Sequence, residues 1–202
     1  MAPVPLQAAL RQMIDFAIRR LRPGDSHEEL TFLLHRAFAE MACQGLDCES
    51  ASQSTARTQE RAARGECFIA VKGRQMIGTV TLEAADRGSF VPVYRDLATA
   101  SVHQLAVDPA NQGNGVGRSL INYAATWAGA RRFERLAVDT PQSAHRQVAW
   151  YVDQGFGVSE TLRVPGRAYA SAVLTRTLSA CVRHGPRGAL ESRFATFPGC
   201  AP

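Results

Sequence analysis

The stretch Val102-His-Gln-Leu-Ala-Val-Asp-Pro-Ala-Asn-Gln-Gly-Asn-Gly-Val-Gly-Arg-Ser-Leu120 decides the fold of this chain. Its first residues are apolar and predict a short buried strand, which Asp108-Pro109 ends. Glycines at positions 113, 115 and 117 then lead into an apolar helix. Bare glycine backbone lets several N–H groups point at one anion, and the positive end of the helix dipole adds to the attraction. The stretch therefore predicts a phosphate-binding turn between a strand and a helix.

Two common nucleotide-binding loops do not fit this turn. A Walker loop needs Lys and then Ser or Thr after its last glycine, but Arg118-Ser119 follows here with a different glycine spacing. A dinucleotide fingerprint needs a glycine at its sixth position, which is Arg118 when counted from Gly113 and Leu120 when counted from Gly115. The hexapeptide Gln112–Gly117 does fit a third pattern, [Gln/Arg]-x-x-Gly-x-[Gly/Ala].

The hexapeptide in its context resembles the acetyl-CoA loop of the GNAT superfamily of N-acetyltransferases. An apolar strand ending Leu-Ala-Val-Asp-Pro precedes the loop, an apolar helix follows it, and Trp150-Tyr151 stands shortly before Gly155-Phe156. The resemblance covers roughly residues 14–178. It implies an α/β fold with a mixed sheet (α+β), in the order β-α-α-β-β-β-α-β-α-β-β, and acetyl-CoA as co-substrate.

The hydrophobic periodicity along the chain predicts the same order of elements. The predicted segments are a strand over 14–19, a helix begun by Asp25 or Ser26 with an apolar stripe from Leu30 to Met41, a short polar helix over 54–64, a hairpin of 67–71 and 76–82, a strand over 102–107, a helix over 115–129, a strand over 133–138, a helix over 143–154 and a last strand pair ending at Leu178. Residues 14–178 therefore form the predicted acetyltransferase domain. Residues 1–13 are predicted to be an N-terminal extension with a short helix, and residues 179–202 a loosely packed or disordered tail.

Composition sets the broad class of the protein. With 202 residues, of which 46% are hydrophobic and 20% charged, we expect one soluble globular domain. No apolar run approaches the roughly 18 residues that span a bilayer, and the N-terminus lacks a signal-peptide layout, so we expect a cytoplasmic protein without membrane contact. The five cysteines include no Cys-x-x-Cys, and we expect reduced thiols and no metal site.

The net charge of +5 raises the question of nucleic acid. The basic residues are almost all arginines and are scattered along the chain rather than clustered in one stripe. Part of this charge would serve the phosphates of CoA. We therefore expect no nucleic-acid partner.

The resemblance also implies which residues hold acetyl-CoA. The backbone of Leu105, Ala106 and Val107 would bind pantetheine, because the family's equivalent strand splays from its neighbour. The pyrophosphate would receive backbone N–H bonds from the loop and the first helical turn. The loop residues so implied are Gln112, Gly113, Asn114, Gly115, Val116, Gly117 and Arg118.

Tyr151 matches the family's tyrosine and would be the general acid. A phenol beside the sulfur can protonate the departing thiolate, although the same tyrosine could simply pack its helix against the sheet. Many relatives carry Asn seven residues earlier, where this chain has Ala144 between Ser143 and His145. Any cofactor contact of that Asn is lost here or passed to a neighbour.

The general base is left open by the sequence. Some relatives use a Glu at the position of Ser101, which cannot act as a base. His103 has a suitable pKa, and by two-residue alternation it shares a face with Leu105 and Val107. A water relay is an equal alternative, and Glu83 is a weaker one.

The acceptor pocket in this fold would lie between two loops, residues 44–53 and 84–101. Their polar side chains are Asp47 and Glu49 in the first loop, and Asp86, Tyr94 and Asp96 in the second. No cysteine is placed as a nucleophile, so we expect direct transfer in a ternary complex to a small-molecule amine. Two alternatives stay open: a toxin-like enzyme that acetylates aminoacyl-tRNA, and a non-catalytic acyl-CoA binder. A homodimer is possible, since the family often dimerises.

Overall fold

The computed structural model of the protein describes residues 15–46 and 48–178. Seven strands are present in this part: β1 (Ala17–Arg20), β2 (Glu66–Lys72), β3 (Gln75–Glu83), β4 (Thr99–Val107), β5 (Arg135–Pro141), β6 (Gly157–Arg163) and β7 (Ala170–Thr177). The α-helices are α1 (His27–Cys43), α2 (Thr55–Ala63), α3 (Val116–Ala130) and α4 (His145–Asp153). The predicted order and the mixed α/β class are therefore confirmed. The predicted extension (1–13) and tail (179–202) lie outside the described residues.

The strands form one sheet in the order β1-β2-β3-β4-β5-β7-β6. The pairing of β4 with β5 is parallel and the other strand pairs are antiparallel. One face of the sheet packs against α3, and the opposite face packs against α1 and α2. Within residues 15–46 and 48–178, no helix is long and apolar enough to cross a membrane.

The helices begin and pack as their sequences predict. The Ser26 hydroxyl caps α1 by accepting the Glu29 N–H at 3.1 Å, and Ser54 caps α2 in the same way. Along α1 the apolar stripe buries Leu30, Leu33 and Leu34 completely. The equivalent stripe on α3 packs on the other face of the sheet and comprises Val116, Leu120, Ile121, Ala124, Trp127 and Ala128.

Among the strand boundaries that differ from the sequence prediction, the starts of β4 and β5 matter most for the site. β4 begins at Thr99 rather than Val102, because the polar segment Thr99–Ser101 forms the whole of the ladder with β5. β5 begins at Arg135 rather than Phe133. The Phe133 ring instead stacks on Trp127 at 5.8 Å and covers the end of α3. Both differences arise from long-range contacts that local periodicity does not report.

β4 and β5 separate after three paired residues. Thr99, Ala100 and Ser101 pair with Arg135, Leu136 and Ala137, and the remainder of β5 pairs only with β7 among the described residues. Within the described residues, the backbone edge of β4 from Val102 to Val107 consequently has no strand beside it on the β5 side. This separation creates the entrance to the site.

A β-bulge in the middle of β4 changes the face of the sheet to which the side chains after the bulge point. Thr81 of β3 pairs with His103, and Thr79 pairs with Ala106, so one residue of β3 spans two on β4. Gln104 lies in the bulge with a φ of +47°, a left-handed conformation that is uncommon for a non-glycine residue. A bulge shifts the alternation by one residue, so His103 and Leu105 no longer share a face.

Candidate functional site

A long cavity of about 2090 Å³ extends from the gap between β4 and β5. This volume exceeds the roughly 300–1,000 Å³ of an ordinary small-molecule pocket and suits an elongated ligand with a second molecule beside it. Its walls are formed by the second half of β4, the glycine loop, the end of β5, α4 and the loop that joins β6 to β7. Residues of α1 and α2 line it as well. All ten residues predicted to hold the cofactor line it, as do Tyr151 and His103.

The glycine loop presents a row of unpartnered N–H groups to this cavity. From Gly113 to Arg118, none of the six backbone N–H groups donates a hydrogen bond to a described residue. Gly113 and Gly115 have φ values of +77° and +79°, which a side chain at either position would oppose. Gly115 stands at the N-cap of α3 without a capping side chain. Such a helix start is an anion-binding site by its geometry and its dipole.

Hydrogen bonds of the Asp108 and Gln112 side chains hold the glycine loop in place. The Asp108 carboxylate accepts the Ala110 N–H at 3.1 Å and two bonds from Arg36 of α1, at 2.9 and 2.6 Å. The Gln112 amide donates to the Val107 carbonyl oxygen at 3.3 Å and ties the loop to the end of β4. The Arg36–Asp108 pair links residues 72 positions apart, and sequence reasoning missed it because no local signal marks the partner.

Gly117 has a different role from the two glycines before it. A Cβ at this position would lie 3.1 Å from Cζ2 of Trp150 and 3.6 Å from Cγ2 of Val107. Gly117 therefore allows α4 to approach the first turn of α3. This contact brings the neighbouring Tyr151 towards the separated end of β4.

The Tyr151 hydroxyl forms no hydrogen bond with any described residue, although the side chain is buried and lines the cavity. Its ring packs edge-on against Trp150 and Phe156, with centroids 5.1 and 5.6 Å away. Burial raises the pKa of Tyr151 above its ordinary value, and the nearby charge of Asp139 raises it further. The phenol therefore stays protonated and keeps its O–H available to a ligand.

The Asn position of many relatives is filled here by Ala144, at the N-cap of α4. Ala144 is buried beside Met41 and Cys48, and it supplies no side-chain cap to the helix. Its neighbours Ser143 and His145 are exposed and do not line the main cavity. The structure thus offers no side chain at these positions in place of the Asn.

His103 lies on the opposite face of β4 from Leu105 and Val107, so the prediction of a shared face is wrong. Directly paired residues share a face, and the partner of His103 is Thr81, which in turn pairs with Cys67 in the cluster under α1. Leu105 and Val107 pack with the α3 side of the core. The bulge at Gln104 places His103 on the opposite face, and no feature of the sequence predicted this bulge.

The surroundings of His103 orient its ring. Nε2 lies 2.8 Å from the Ser101 hydroxyl and 3.8 Å from a carboxylate oxygen of Glu83. The ring also packs edge-on against Tyr94 at 5.3 Å. Because both polar neighbours face Nε2, an Nε2–H tautomer would leave the Nδ1 lone pair without a protein partner.

Charges on several elements act on His103. Burial is the main effect and lowers the pKa of His103 below its ordinary value of 6.5. The carboxylates of Glu83 and Asp139 oppose this shift, and the guanidinium groups of Arg61 and Arg167 add to it. The imidazole is therefore unprotonated at neutral pH, as a general base must be.

A buried polar network closes the cavity beside β5. Asp139 accepts a hydrogen bond from the Tyr94 hydroxyl at 2.9 Å and forms an ion pair with Arg167 of the β6–β7 loop. Arg167 also donates to the Ser171 hydroxyl at 2.9 Å. Burial raises the pKa of Tyr94, and the neighbouring carboxylate adds to the effect. Of the predicted acceptor-loop residues, Tyr94 is thus a structural anchor of this wall.

The other predicted acceptor-loop residues divide by position. Glu49 lines the cavity in ion pairs with Arg57 and Arg61, whereas Asp86 and Asp96 do not line it. Both accept N–H groups of their own loop, and Asp96 also pairs with Arg135 of β5. Asp47 lies outside the described residues. Glu83 contacts His103 but does not line the cavity itself.

The cysteines and possible metal ligands add little to the site. Burial raises the pKa of the Cys67 thiol, which packs under α1, and Cys43 is exposed at the end of that helix. Cys48 lines the cavity with its Sγ 3.9 Å from the Tyr169 hydroxyl. Cys181 and Cys200 lie outside the described residues. Among the residues that the structure describes, no group of three or more His, Cys, Asp or Glu side chains could hold a metal ion.

Comparisons with known proteins agree with this architecture. The ribosomal-protein-S18-alanine N-acetyltransferase of Escherichia coli superposes with a TM-score of 0.62 at 17% identity, over 84% of this chain and 97% of that one. A GNAT acetyltransferase of Elizabethkingia anophelis, solved with acetyl-CoA bound, gives 0.57 at 19% identity over 81% and 99%. A chimeric spermidine N-acetyltransferase from Vibrio cholerae gives 0.60 at 19% identity over 81% and 96%.

At these identities the solved structures support the fold alone. A search of curated proteins found no match to this sequence. The family model of the GNAT acetyltransferases matches residues 30–156, which is more than half of the chain and includes the loop, Tyr151 and His103. The chain therefore belongs to the acetyltransferase (GNAT) family.

Proposed function

We propose that this protein transfers the acetyl group of acetyl-CoA directly to the amine of a small molecule. The observation that carries the proposal is the arrangement of the cavity. Unpartnered N–H groups lie at one end, the unpaired edge of β4 lies along the middle, and the Tyr151 hydroxyl and His103 line the same space.

The phosphate end of acetyl-CoA would bind at the loop. The N–H groups from Gly113 to Arg118 would bond the pyrophosphate oxygens, and the α3 dipole would add to the attraction. The unpaired edge of β4 at Leu105, Ala106 and Val107 would bond the amides of the pantetheine arm. That arm would leave the thioester near the middle of β4, where the bulge lies.

His103 would serve as the general base in this reaction. As the amine nitrogen attacks the thioester carbonyl carbon, a proton passes from the nitrogen to Nδ1 of His103, and the new C–N bond forms. Ser101 and Glu83 would hold the ring in the Nε2–H tautomer. A water relay is the alternative route for this proton.

Tyr151 would serve as the general acid. When the C–S bond breaks, the thiolate of CoA takes the proton of the phenol, whose raised pKa keeps it protonated until that moment. The Tyr151 hydroxyl is supported in this role by its lack of another hydrogen-bond partner among the described residues.

Binding of acetyl-CoA, CoA and NADH, compared by calorimetry, tests the proposal. We expect acetyl-CoA and CoA to bind and NADH not to. An amine panel with detection of the released thiol then tests turnover. Binding of the dinucleotide without CoA would overturn the loop assignment. Tight acetyl-CoA binding without turnover of any amine would make the protein a non-catalytic acyl-CoA binder.

A further inference from the structure

A cluster of arginines lies at the end of the cavity that faces away from the glycine loop. Arg57 and Arg61 of α2 and Arg64 just after it all line the cavity. We call these three residues the arginine cluster. They belong to the face of the sheet that carries His103, because α2 packs on that face through Ala62.

The cluster has fewer negative charges than positive ones among the described residues. Glu49 forms ion pairs with both Arg57 and Arg61, and Glu60 pairs only with Arg57, on the exposed surface. The Arg64 side chain has neither an ion-pair partner nor a hydrogen bond in the described part of the chain. Three guanidinium groups thus share two carboxylates.

Arg61 is the most buried of the three. Its side chain is four-fifths buried, and this burial together with the charges of Arg57 and Arg64 lowers the pKa of its guanidinium. The carboxylates of Glu49 and, to a smaller extent, Glu83 oppose the shift. Arginine nevertheless remains charged at physiological pH. A buried positive charge with too little counter-charge favours the binding of an anion.

The hydrogen bonds of Arg61 leave one edge of its guanidinium unused. Nη1 makes all the recorded bonds, to Gln53 Oε1 at 2.6 Å and Ser50 Oγ at 3.1 Å, besides the Glu49 contact at 3.4 Å. Nε and Nη2 donate to no described residue. This pair of donors is the edge that receives a carboxylate through two parallel hydrogen bonds.

Arg61 also lies within electrostatic range of His103, since its charge lowers the pKa of that imidazole. Building on the proposed acetyl transfer, we propose that the acceptor is an amine that also carries a carboxylate, and that Arg61 binds this carboxylate with support from Arg64. The amine of such an acceptor would extend from the arginine cluster towards His103 and the thioester.

Matched acceptor pairs test this inference. Each pair has one amine and differs only at the anionic end: α-amino acids against their carboxamides, and ω-amino acids of increasing length against theirs. With acetyl-CoA as donor, we expect at least one carboxylate to exceed its carboxamide roughly 10- to 100-fold in kcat/KM, since a charged hydrogen-bonded contact is lost in the carboxamide.

Variants assign that preference to Arg61. Arg61→Gln should abolish it by raising KM for the carboxylate, and Arg61→Lys should retain part of it because the charge remains. Arg64→Gln breaks no recorded bond and should weaken the preference without disturbing the fold. Arg20→Gln is the matched control, because Arg20 pairs with Glu66 on the exposed surface away from the cavity.

Calorimetric binding of acetyl-CoA to every variant separates failure of this inference from loss of folding. Equal kcat/KM within all pairs would overturn the inference, as would a preference that survives Arg61→Gln, or no acetylation of any pair by a protein that binds acetyl-CoA. Failure of the wild-type protein to bind acetyl-CoA would instead overturn the proposed function.

Discussion

The two ends of the cavity are built from different parts of the polypeptide. The end that we propose for acetyl-CoA, called the cofactor end, consists mainly of backbone, with glycine at three positions and N–H groups that face the cavity. The end that we propose for the acceptor, called the acceptor end, consists of side chains from separate elements: Arg61 from α2, His103 from β4, Asp139 from β5 and Arg167 from the β6–β7 loop. Glu83 of β3 contacts His103 from outside the cavity.

This difference shows how each end can vary. A site made of backbone groups requires a particular local conformation, which a short stretch of sequence specifies. Few substitutions in that stretch preserve this conformation. A side-chain site requires only that several elements meet, so its residues can be exchanged one at a time to suit another acceptor. We therefore expect substitutions at the cofactor end to abolish binding and substitutions at the acceptor end to change rate or specificity.

The largest effect is expected from Gly115→Val. Valine at a φ of +79° is strained, so the loop must rearrange and several charged hydrogen bonds to the pyrophosphate are lost. Affinity for acetyl-CoA should fall more than roughly 100-fold, since each such bond is worth about 1.5–3 kcal/mol. Gly117→Val should have a similar effect by displacing Trp150. Calorimetry measures both.

Gly129→Ala is the matched control for these two glycines. Gly129 is exposed near the end of α3, and a Cβ there meets nothing within 4 Å. Acetyl-CoA affinity should not change, and the helix should gain up to about 1 kcal/mol of stability. If Gly115→Val bound acetyl-CoA as tightly as Gly129→Ala does, the backbone account of the cofactor end would be wrong.

The next largest effect is expected where the two ends meet, at Tyr151. Tyr151→Phe removes the proton donor but keeps the ring contacts with Trp150 and Phe156. kcat should fall roughly 10²- to 10⁴-fold while the Kd for acetyl-CoA stays nearly constant. Tyr123→Phe is the control, because Tyr123 of α3 packs against Phe68 of β2 and does not line the cavity. Equal rates in the two variants would remove Tyr151 from the mechanism.

At the acceptor end, the pH dependence of kcat tests His103. Only the unprotonated imidazole is a base, so kcat at saturating acceptor should fall as pH decreases through the pKa of His103, which lies below 6.5. His103→Gln should lower kcat roughly 100-fold and remove this acid limb. Glu83→Gln should move the limb to lower pH, because the Glu83 charge raises that pKa. An acid limb that persists in His103→Gln would indicate a different base or a water relay.

The same contrast explains what the sequence could predict. The phosphate loop, the helix starts at Ser26 and Ser54 and the hairpin at Gly73 are local features, because each depends on residues adjacent in the chain. The element order followed from them together with the family resemblance. For this reason the fold was predictable almost completely, and the glycine loop lies between β4 and α3 as expected.

The acceptor end was not predictable because its determinants are not local. The bulge at Gln104 depends on the register between β3 and β4, and it moves His103 to the face opposite the predicted one. A prediction from two-residue alternation does not account for such an inserted residue. The arginine cluster likewise forms only when α2 packs against α1 and β2, on the face of the sheet that carries His103, and the polar sequence of α2 does not reveal this packing.

The smallest effect is expected at the contact that joins the glycine loop to α1. Arg36→Leu leaves the nearly buried Asp108 carboxylate with only the Ala110 N–H, so chemical denaturation should show a loss of about 1–3 kcal/mol. Arg146→Leu removes an ion pair with Glu40 that is exposed on both sides, and it should cost at most about 1 kcal/mol. Acetyl-CoA affinity should fall in Arg36→Leu, because the loop would then be ordered only on binding. Equal losses of stability in the two variants would mean that α1 does not hold the loop, and the cofactor end would depend on its own backbone alone.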